Sequence, residues 1–489
     1  MKVVISYPPL TTKGHPTLGQ NRQFQWFHHP SYIYPMVPAS AATLLAKQGC
    51  EVIWNDAIAE EWEYPQYLKF MEDTKPDLVA IETKTPTVKQ YWRIIGELKD
   101  KLPETKFVLM GDHVTALPEE TMQNSVVDFA ITGGDFDFLL LSIVDHLRDN
   151  SPLSPGIWYR KNGQILNTGK FTLSGSLDAL PLIDRDLTKW QMYGEKIYRR
   201  TPFTYTMAGR DCPWHRCTFC SWTTTFPNFR VRSVESVLEE IGILIEKYGI
   251  REIFDDTGTF PGGGWLDRFC NGMIERGYNQ KILFSCNFRF DYINPERAKL
   301  MKKAGFRLMK MGLESGNQST LDRLDKGIKI ADIENGCRIA KEAGLEVHLT
   351  IMVGYPWETR KDAETTLALA KKLMINGWAD MLQATVTIPY PGTPLYQQAV
   401  ENNWFRIDPK DYERFDMTEP IFKTPDMTPE EVMAICDNIY KLFLSPKYVA
   451  RYIASIRSTD DLKFIGRGVR AVLGHLKDFK RQPKSTTKC

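Results

Sequence analysis

Three of the nine cysteines in this 489-residue sequence fall in one short stretch, Asp211-Cys212-Pro213-Trp214-His215-Arg216-Cys217-Thr218-Phe219-Cys220-Ser221-Trp222. Three thiolates with one ligand position open are the donor set of an iron–sulfur cluster in which one iron stays available to a group other than protein. Two other chemistries compete. A structural zinc site prefers paired Cys-x₂₋₄-Cys elements and a closed set of four ligands, and His215 stands between two cysteines, where it can hardly reach the same ion as both. The spacing Cys-x₄-Cys-x₂-Cys is also that of plant-type [2Fe–2S] ferredoxins, which need a distant fourth cysteine. Cys270 and Cys286 are the downstream candidates. Cys50, Cys337 and Cys436 read as small buried hydrophobes.

The elements that must position this loop form a repeat. β-rich runs at 204–207, 252–254, 282–286, 308–313, 347–353 and 382–388 alternate with helical patterns that include 233–248, 294–303, 330–343 and 358–374. Six such units over residues 201–395 predict a partial (β/α)₆ barrel, short of the eight that close a full one, with a mouth left for a large substrate. The cysteines follow the first strand, at the end where parallel barrels carry their chemistry. Polar residues follow the next four strands: Asp255 and Asp256, Asn287 and Arg289, Glu314 and Ser315, then Thr350 with the turn Gly354-Tyr355-Pro356.

Residues 1–150 read as a doubly wound, Rossmann-like α/β domain. Strands are expected at 2–6, 51–54, 77–81, 106–110 and 128–131, most of them continuous apolar runs suited to burial on both faces of a parallel sheet. Helices are expected at 39–48, stopped by Gly49, and at 87–101. Ligands of such sheets bind beyond the carboxyl ends of the strands. The hydroxyls, glycines and histidine found there (Thr83, Thr85, Pro86, Gly111, His113, Gly133, Gly134) suit a large polar cofactor. Neither a Gly-x-Gly-x-x-Gly fingerprint nor a phosphate loop follows the first strand, which disfavours a dinucleotide or nucleoside triphosphate. Residues 151–200 are expected to be a connector, with a hairpin turning at Asn162-Gly163. Residues 396–489 are expected to be a helical region with an amphipathic helix at 429–444. Its tail is basic, with apolar Tyr448, Val449, Tyr452, Ile453 and Ile456 interleaved. That stripe suits a membrane surface, an anionic substrate, or packing over the barrel mouth.

Composition sets the outer bounds. With 62 basic and 60 acidic residues the chain carries no general case for nucleic-acid binding. Nine cysteines without a regular framework point to a reducing, cytoplasmic setting. No window reaches the roughly 18 to 20 consecutive apolar residues of a spanning helix.

With these residues assembled, residues 1–400 resemble the radical SAM enzymes that carry a cobalamin-binding domain, the group that includes B12-dependent methylases and the anaerobic magnesium-protoporphyrin ester cyclase. The matching motifs are Lys-Thr-Pro-Thr at 84–87, Gly-Asp-His-Val-Thr-Ala-Leu-Pro-Glu-Glu at 111–120, the cysteine loop, Phe-Asp-Asp at 254–256 and Met-Gly-Leu-Glu-Ser-Gly at 311–316. The resemblance implies that Cys212, Cys217 and Cys220 hold a [4Fe–4S] cluster whose fourth iron is chelated by S-adenosylmethionine (SAM). It implies that Phe219 packs near the adenine, that Glu314 meets the ribose and that Lys326 meets the methionine carboxylate. Asp256, Arg289, Ser315 and Thr350 are further expected SAM contacts, and the seven strand-end residues of the first domain are expected cobalamin contacts. The implied activity is reductive cleavage of SAM and, with cobalamin, methylation of an unactivated carbon of a large apolar substrate, lipid- or tetrapyrrole-like. A radical cyclase of the magnesium-protoporphyrin type is the alternative, and a [2Fe–2S] electron-transfer protein the second. A flavodoxin- or ferredoxin-type electron donor and peripheral membrane contact through the basic tail are further expectations. The sequence departs from the family twice: four residues rather than three separate the first two cysteines, and Asp-x-His-x-x-Gly, which supplies a histidine to cobalt in other B12 proteins, is absent.

Overall fold

The computed structural model describes residues 1–10, 14–17, 24–27, 30–194 and 197–478; nothing is said of the side chains of 471–473 and 475–478. The end of the basic tail, 479–489, therefore lies outside the described residues.

The first sheet has seven strands: β1 (Lys2–Tyr7), β2 (Glu51–Asp56), β3 (Leu78–Glu82), β4 (Lys106–Met110), β5 (Phe129–Ile131), β6 (Ile157–Lys161) and β7 (Gln164–Asn167). Their order is β2-β1-β3-β4-β5-β6-β7. The first five run parallel. Burial on both faces explains their unbroken apolar runs: Val3, Val4 and Ile5 are inaccessible, as are Leu78, Val79, Ala80 and Ile81. Helices Met36–Lys47 and Phe136–Asp149 pack together on the sheet, and Tyr64–Thr74 packs with Val88–Lys101. The strand order reverses at β1, which puts the expected ligand crevice at the carboxyl ends of β1 and β3. The hairpin expected in the connector does turn at Asn162-Gly163, both with positive φ. It continues the first sheet, because β6 pairs antiparallel with β5 and covers an edge that would otherwise present unpaired backbone groups.

The second sheet has six parallel strands in chain order: β8 (Phe203–Thr206), β9 (Glu252–Asp255), β10 (Leu283–Phe288), β11 (Phe306–Glu314), β12 (Glu346–Val353) and β13 (Met381–Val386). The helices between them begin where the sequence places caps. Ser233 accepts from the Ser236 amide, Asn294 from that of Arg297, and Thr359 with Asp362 makes a capping box. At the amino ends of the strands Arg307 is buried between Glu252 (2.7 Å) and Glu346 (2.6 Å), a polar tie on the face that parallel barrels keep for stability.

Six strands leave a gap between β8 and β13, and the C-terminal helices span it. Pro429–Tyr440 packs on β13, where Tyr440 Oη donates to the Ala384 carbonyl (3.0 Å). In the next helix, Pro446–Ala454, Tyr448 Oη donates to Asp380 O and Arg451 to the carbonyls of Met374 and Ala379, all just before β13. The last helix, Thr459–Asp478, reaches the other side of the gap. Its Asp461 meets Arg199, its Asp460 meets Arg251, and its Arg467 donates to Tyr198 O. These contacts lie at the amino ends of β8, β9 and β13, so the basic C-terminal region packs across the open side of the barrel rather than over its mouth. No helix among the described residues is long and apolar enough to cross a membrane.

The two sheets are tied at the root of the cysteine loop. Gly209–Arg210 pairs antiparallel with Arg230–Val231, closing the loop at its base. Arg210, 4% exposed, lies between Asp135 (2.5 Å) and Asp137 at the start of the helix Phe136–Asp149, and Arg230 reaches Asp135 at 2.6 Å. Burial alone would raise the Asp135 carboxyl, but the two guanidiniums outweigh it and hold the group below the usual carboxylate range. Replacing Arg210 with Met leaves two buried carboxylates under-compensated and is expected to cost roughly 3 to 5 kcal/mol. Thermal unfolding of Arg210→Met should accordingly shift well below that of the wild type, whereas Arg251→Met, which removes only a more exposed pair with Asp460, should change it little.

Candidate active site

The cysteine loop is positioned by what precedes and follows it. Asp255, at the end of β9, accepts from Thr206 Oγ1 and from the Ala208 amide, both at 2.9 Å, and so fixes the chain as it leaves β8. Burial pushes its carboxyl up. Across the barrel, the Thr218 amide donates to Leu324 O (3.0 Å), and Arg216 pairs with Asp325 (3.0 Å). The four-residue interval between Cys212 and Cys217 carries Trp214 out to the same segment. Its indole donates to Asp325 O, its ring packs on Gly327, and Arg289 lies over it at 4.8 Å. The longer spacing therefore sets a tryptophan between two expected SAM-contact residues, Arg289 and Lys326. His215 lies on the same interval with its Nδ1 against the Asp211 carboxyl group.

Cys212, Cys217 and Cys220 all line one cavity of about 600 Å³. Burial raises the Cys217 thiol to about 11 and the Cys220 thiol further, so both stay protonated at neutral pH until a metal displaces the proton. Among the described residues no group of three His, Cys, Asp or Glu side chains converges on a single metal ion, which disfavours a zinc site, whereas a cluster takes its cysteines on separate irons. Cys270 and Cys286, the candidate fourth ligands of a [2Fe–2S] centre, are fully buried and absent from the cavity lining.

Alternation along the strands builds the rest of the wall. Residues two apart on a strand face the same way, and Lys310, Gly312 and Glu314 of β11, His348, Thr350 and Met352 of β12, and Met381, Gln383 and Thr385 of β13 all line the cavity. Glu314 ends β11 with φ of 58° and accepts a 2.9 Å bond from Lys326 Nζ. A side chain at Gly312 would meet the Glu314 carboxylate and the Lys326 ammonium, so only glycine lets this pair lie against the strand. Burial pulls the ammonium down, but Glu314 more than offsets it and Lys326 ends above its ordinary range. Phe219 lies beneath that ammonium, 5.8 Å from ring centre to Nζ. Arg289 donates to Asp291 and to Lys326 O (3.1 Å).

Of the expected SAM residues, Phe219, Arg289, Glu314, Lys326 and Thr350 meet on this cavity, and Asp256 and Ser315 are absent from its lining. Ser315 is fully buried and bonds Thr366 of the helix Arg360–Ile375. Asp256 is buried beyond Asp255, its amide bonded to Thr206 O. Lys310, His348 and Gln383 are cavity residues outside the expected set. Their signal is a polar residue at every second position inside an apolar strand.

The donor set fits a cluster with SAM: three thiols, a carboxylate and two cations share one cavity. The seven residues expected to hold cobalamin are placed differently. All are buried and none lines the cavity. The space beside Gly134 is taken by the Phe226 ring from the cysteine loop, and that beside Gly133 by Phe171. Gly111 lies against Thr83 O. His113 Nδ1 meets Thr85 Oγ1 at 3.3 Å, and its ring packs on Tyr412 at 4.6 Å. Desolvation lowers His113 to about 3, so the imidazole is neutral, and its Nε2 is buried without a hydrogen-bond partner. These contacts pack the strand ends of the first domain against Phe171, Phe226 and Tyr412. The part of the first domain that does reach the cavity is the segment after β1, through Thr17, Gln25, Phe27, Ser31 and Ile33.

If the Glu314–Lys326 pair meets SAM, Glu314→Ala in cluster-loaded protein should weaken SAM binding by roughly 10- to 100-fold, the worth of a charged hydrogen bond. Equilibrium dialysis with labelled SAM checks this, and unchanged affinity would remove the pair from the site.

Comparison with known proteins agrees with this geometry. A model of the radical SAM superfamily matches residues 208–370, and one of the B12 binding domain matches residues 30–136. The uncharacterized methyltransferase PH0819 of Pyrococcus horikoshii is 30% identical over 405 residues, covering 81% of this chain and 85% of that protein. The anaerobic magnesium-protoporphyrin IX monomethyl ester cyclase of Cereibacter sphaeroides is 24% identical over 411 residues, covering 81% and 64%. Among solved structures, the radical SAM methyltransferase TsrM of Kitasatospora setae, with cobalamin and a [4Fe–4S] cluster bound, superposes with a TM-score of 0.70 at 15% identity, covering 97% of this chain and 99% of that one. The chain belongs to the radical SAM enzymes that carry an N-terminal B12-binding domain.

Proposed function

We propose that the chain is a cobalamin-dependent radical SAM methylase that acts on an unactivated carbon of a large apolar substrate. One observation carries the reading. The Glu314–Lys326 pair and the three cysteines share a cavity with Met381, Leu382, Tyr440, Phe443 and Tyr448, which come from the amino end of β13 and from the C-terminal helices. The polar end suits an amino-acid and ribose ligand, and the apolar end suits a hydrocarbon skeleton.

In this reading Cys212, Cys217 and Cys220 hold the cluster, and SAM bound there supplies a carbon-centred radical or a methyl group, with cobalamin as the methyl carrier and an external electron donor as reductant. The protein's part is placement. Glu314 accepts from ribose hydroxyls, Lys326 and Arg289 meet the methionine carboxylate, and Phe219 and Trp214 shield the site from water. Lys310 and His348, neighbours in register across β11 and β12, stand between the polar and apolar ends and orient the substrate. A lipid or tetrapyrrole skeleton is the substrate class assigned, in a reducing cytoplasmic setting, with the C-terminal helices making the membrane contact.

The similarity to a magnesium-protoporphyrin cyclase over 81% of this chain favours a second reading, in which the same radical closes a ring and no methyl group is transferred. Reconstituted protein supplied with hydroxocobalamin, a reductant, methyl-labelled SAM and an extract of apolar metabolites separates the two by mass spectrometry. The methylase reading predicts a product heavier by one labelled methyl. A ring-closed product that carries no labelled methyl, with the label left on methionine, would overturn it in favour of the cyclase.

A further inference from the structure

The cavity opens to the surface at the C-terminal helices, and the opening is apolar. Leu444, Val449, Ile453 and Val469 all line the cavity, yet they are 56%, 40%, 62% and 54% exposed. A side chain that lines a cavity while remaining that exposed sits on its rim. Val449 and Ile453 are one turn apart on Pro446–Ala454. On Thr459–Asp478, Leu462 and Val469 fall on one face, two turns apart. Leu462 is 56% exposed and lies outside the lining. A contiguous apolar surface of this kind on a folded chain marks a contact.

Charge selects the partner. Lys463 and Arg470, also two turns apart, are exposed beside the Leu462–Val469 stripe, and Lys447 is exposed on the neighbouring helix. Asp460 and Asp461, in the first turn of the last helix, point elsewhere: Asp460 is drawn to Arg251 at 3.1 Å and Asp461 to Arg199 at 3.0 Å. The face around the rim therefore presents apolar side chains flanked by exposed cations, the pattern of a helix that lies in the interface of an anionic bilayer with its long cationic side chains reaching the headgroups.

We infer that the two C-terminal helices dock this face on an anionic membrane surface and that the rim is the path by which an apolar substrate passes from the bilayer into the cavity. The inference rests on the proposed function only for what happens to that substrate afterwards. It explains why apolar residues are left in solvent where the chamber opens at the C-terminal helices.

The test is flotation of the full-length, cluster-loaded protein with vesicles of phosphatidylcholine alone or of phosphatidylcholine with phosphatidylglycerol. The wild type should float with the phosphatidylglycerol vesicles and stay in the dense fraction with phosphatidylcholine alone. Leu462→Asp, and separately the pair Lys463→Glu and Arg470→Glu, should each lower the bound fraction about tenfold. Circular dichroism and substrate-free formation of 5′-deoxyadenosine should stay at wild-type levels, because none of these three side chains lines the cavity. Wild-type flotation by both variants would overturn the proposal, as would failure of the wild type to float. So would a mass in solution showing a dimer that Leu462→Asp splits, which would assign the face to a second copy of the chain. Loss of methyl transfer with flotation intact would count against the proposed function and leave the docking surface standing.

Discussion

The structure turns on one buried guanidinium. Arg210 begins the cysteine loop, pairs with Arg230 across the two-residue ladder that ends it, and is held by Asp135 and Asp137 of the first domain. A buried ion cluster of this kind contributes little net stability compared with apolar packing of the same volume, since desolvation consumes most of the Coulombic gain. What it supplies is geometry. The charges are satisfied in only one arrangement, so the loop that carries the sulfurs has a fixed root and the B12-binding domain a fixed position against the barrel. Phe226 beside Gly134, and the Gly134 amide on Thr225 O at 2.8 Å, extend the same junction.

From that root the site is assembled by strand alternation. Alternate residues of β11 from Lys310 and of β12 from His348 face the cavity, which brings Glu314 and Thr350 to its polar end. Lys326 arrives from the loop beyond β11, and Gly312 leaves room for the pair it makes with Glu314. The C-terminal helices then take the place of the missing barrel strands. Because they are helices rather than strands, they close the side of the chamber without filling it, and the wall they make is apolar.

Much of this was legible in the sequence, and the misses have physical causes. Continuous apolar runs located the parallel strands because two-sided burial leaves no other pattern, and the helices expected from 233 and 294 start there because the Ser233 and Asn294 side chains satisfy amides that a helix leaves open. The helix Gly263–Glu275 was not among those expected. Gly262, Gly263 and Gly264 at its start read as loop, and only the spacing of Leu266, Phe269 and Met273, all buried, reveals it. Asp256 and Ser315 lie next to residues that matter, Asp255 and Glu314, and a motif cannot say which of two adjacent polar residues faces the cavity. Gly133 and Gly134 carried the right signal, a close approach to backbone, and the groups that approach them here are the Phe171 and Phe226 rings. His113 is capped by Tyr412, from 299 positions later in the chain, a contact that no local pattern encodes.

The central claim is that the three loop cysteines leave one iron open and that SAM takes it. It is tested most directly by counting iron and sulfide in anaerobically reconstituted protein and recording the EPR spectrum of the reduced cluster with and without SAM. The account predicts about four irons per chain and a spectrum that changes when SAM is added. About two irons per chain, or a four-iron spectrum indifferent to SAM, would contradict it.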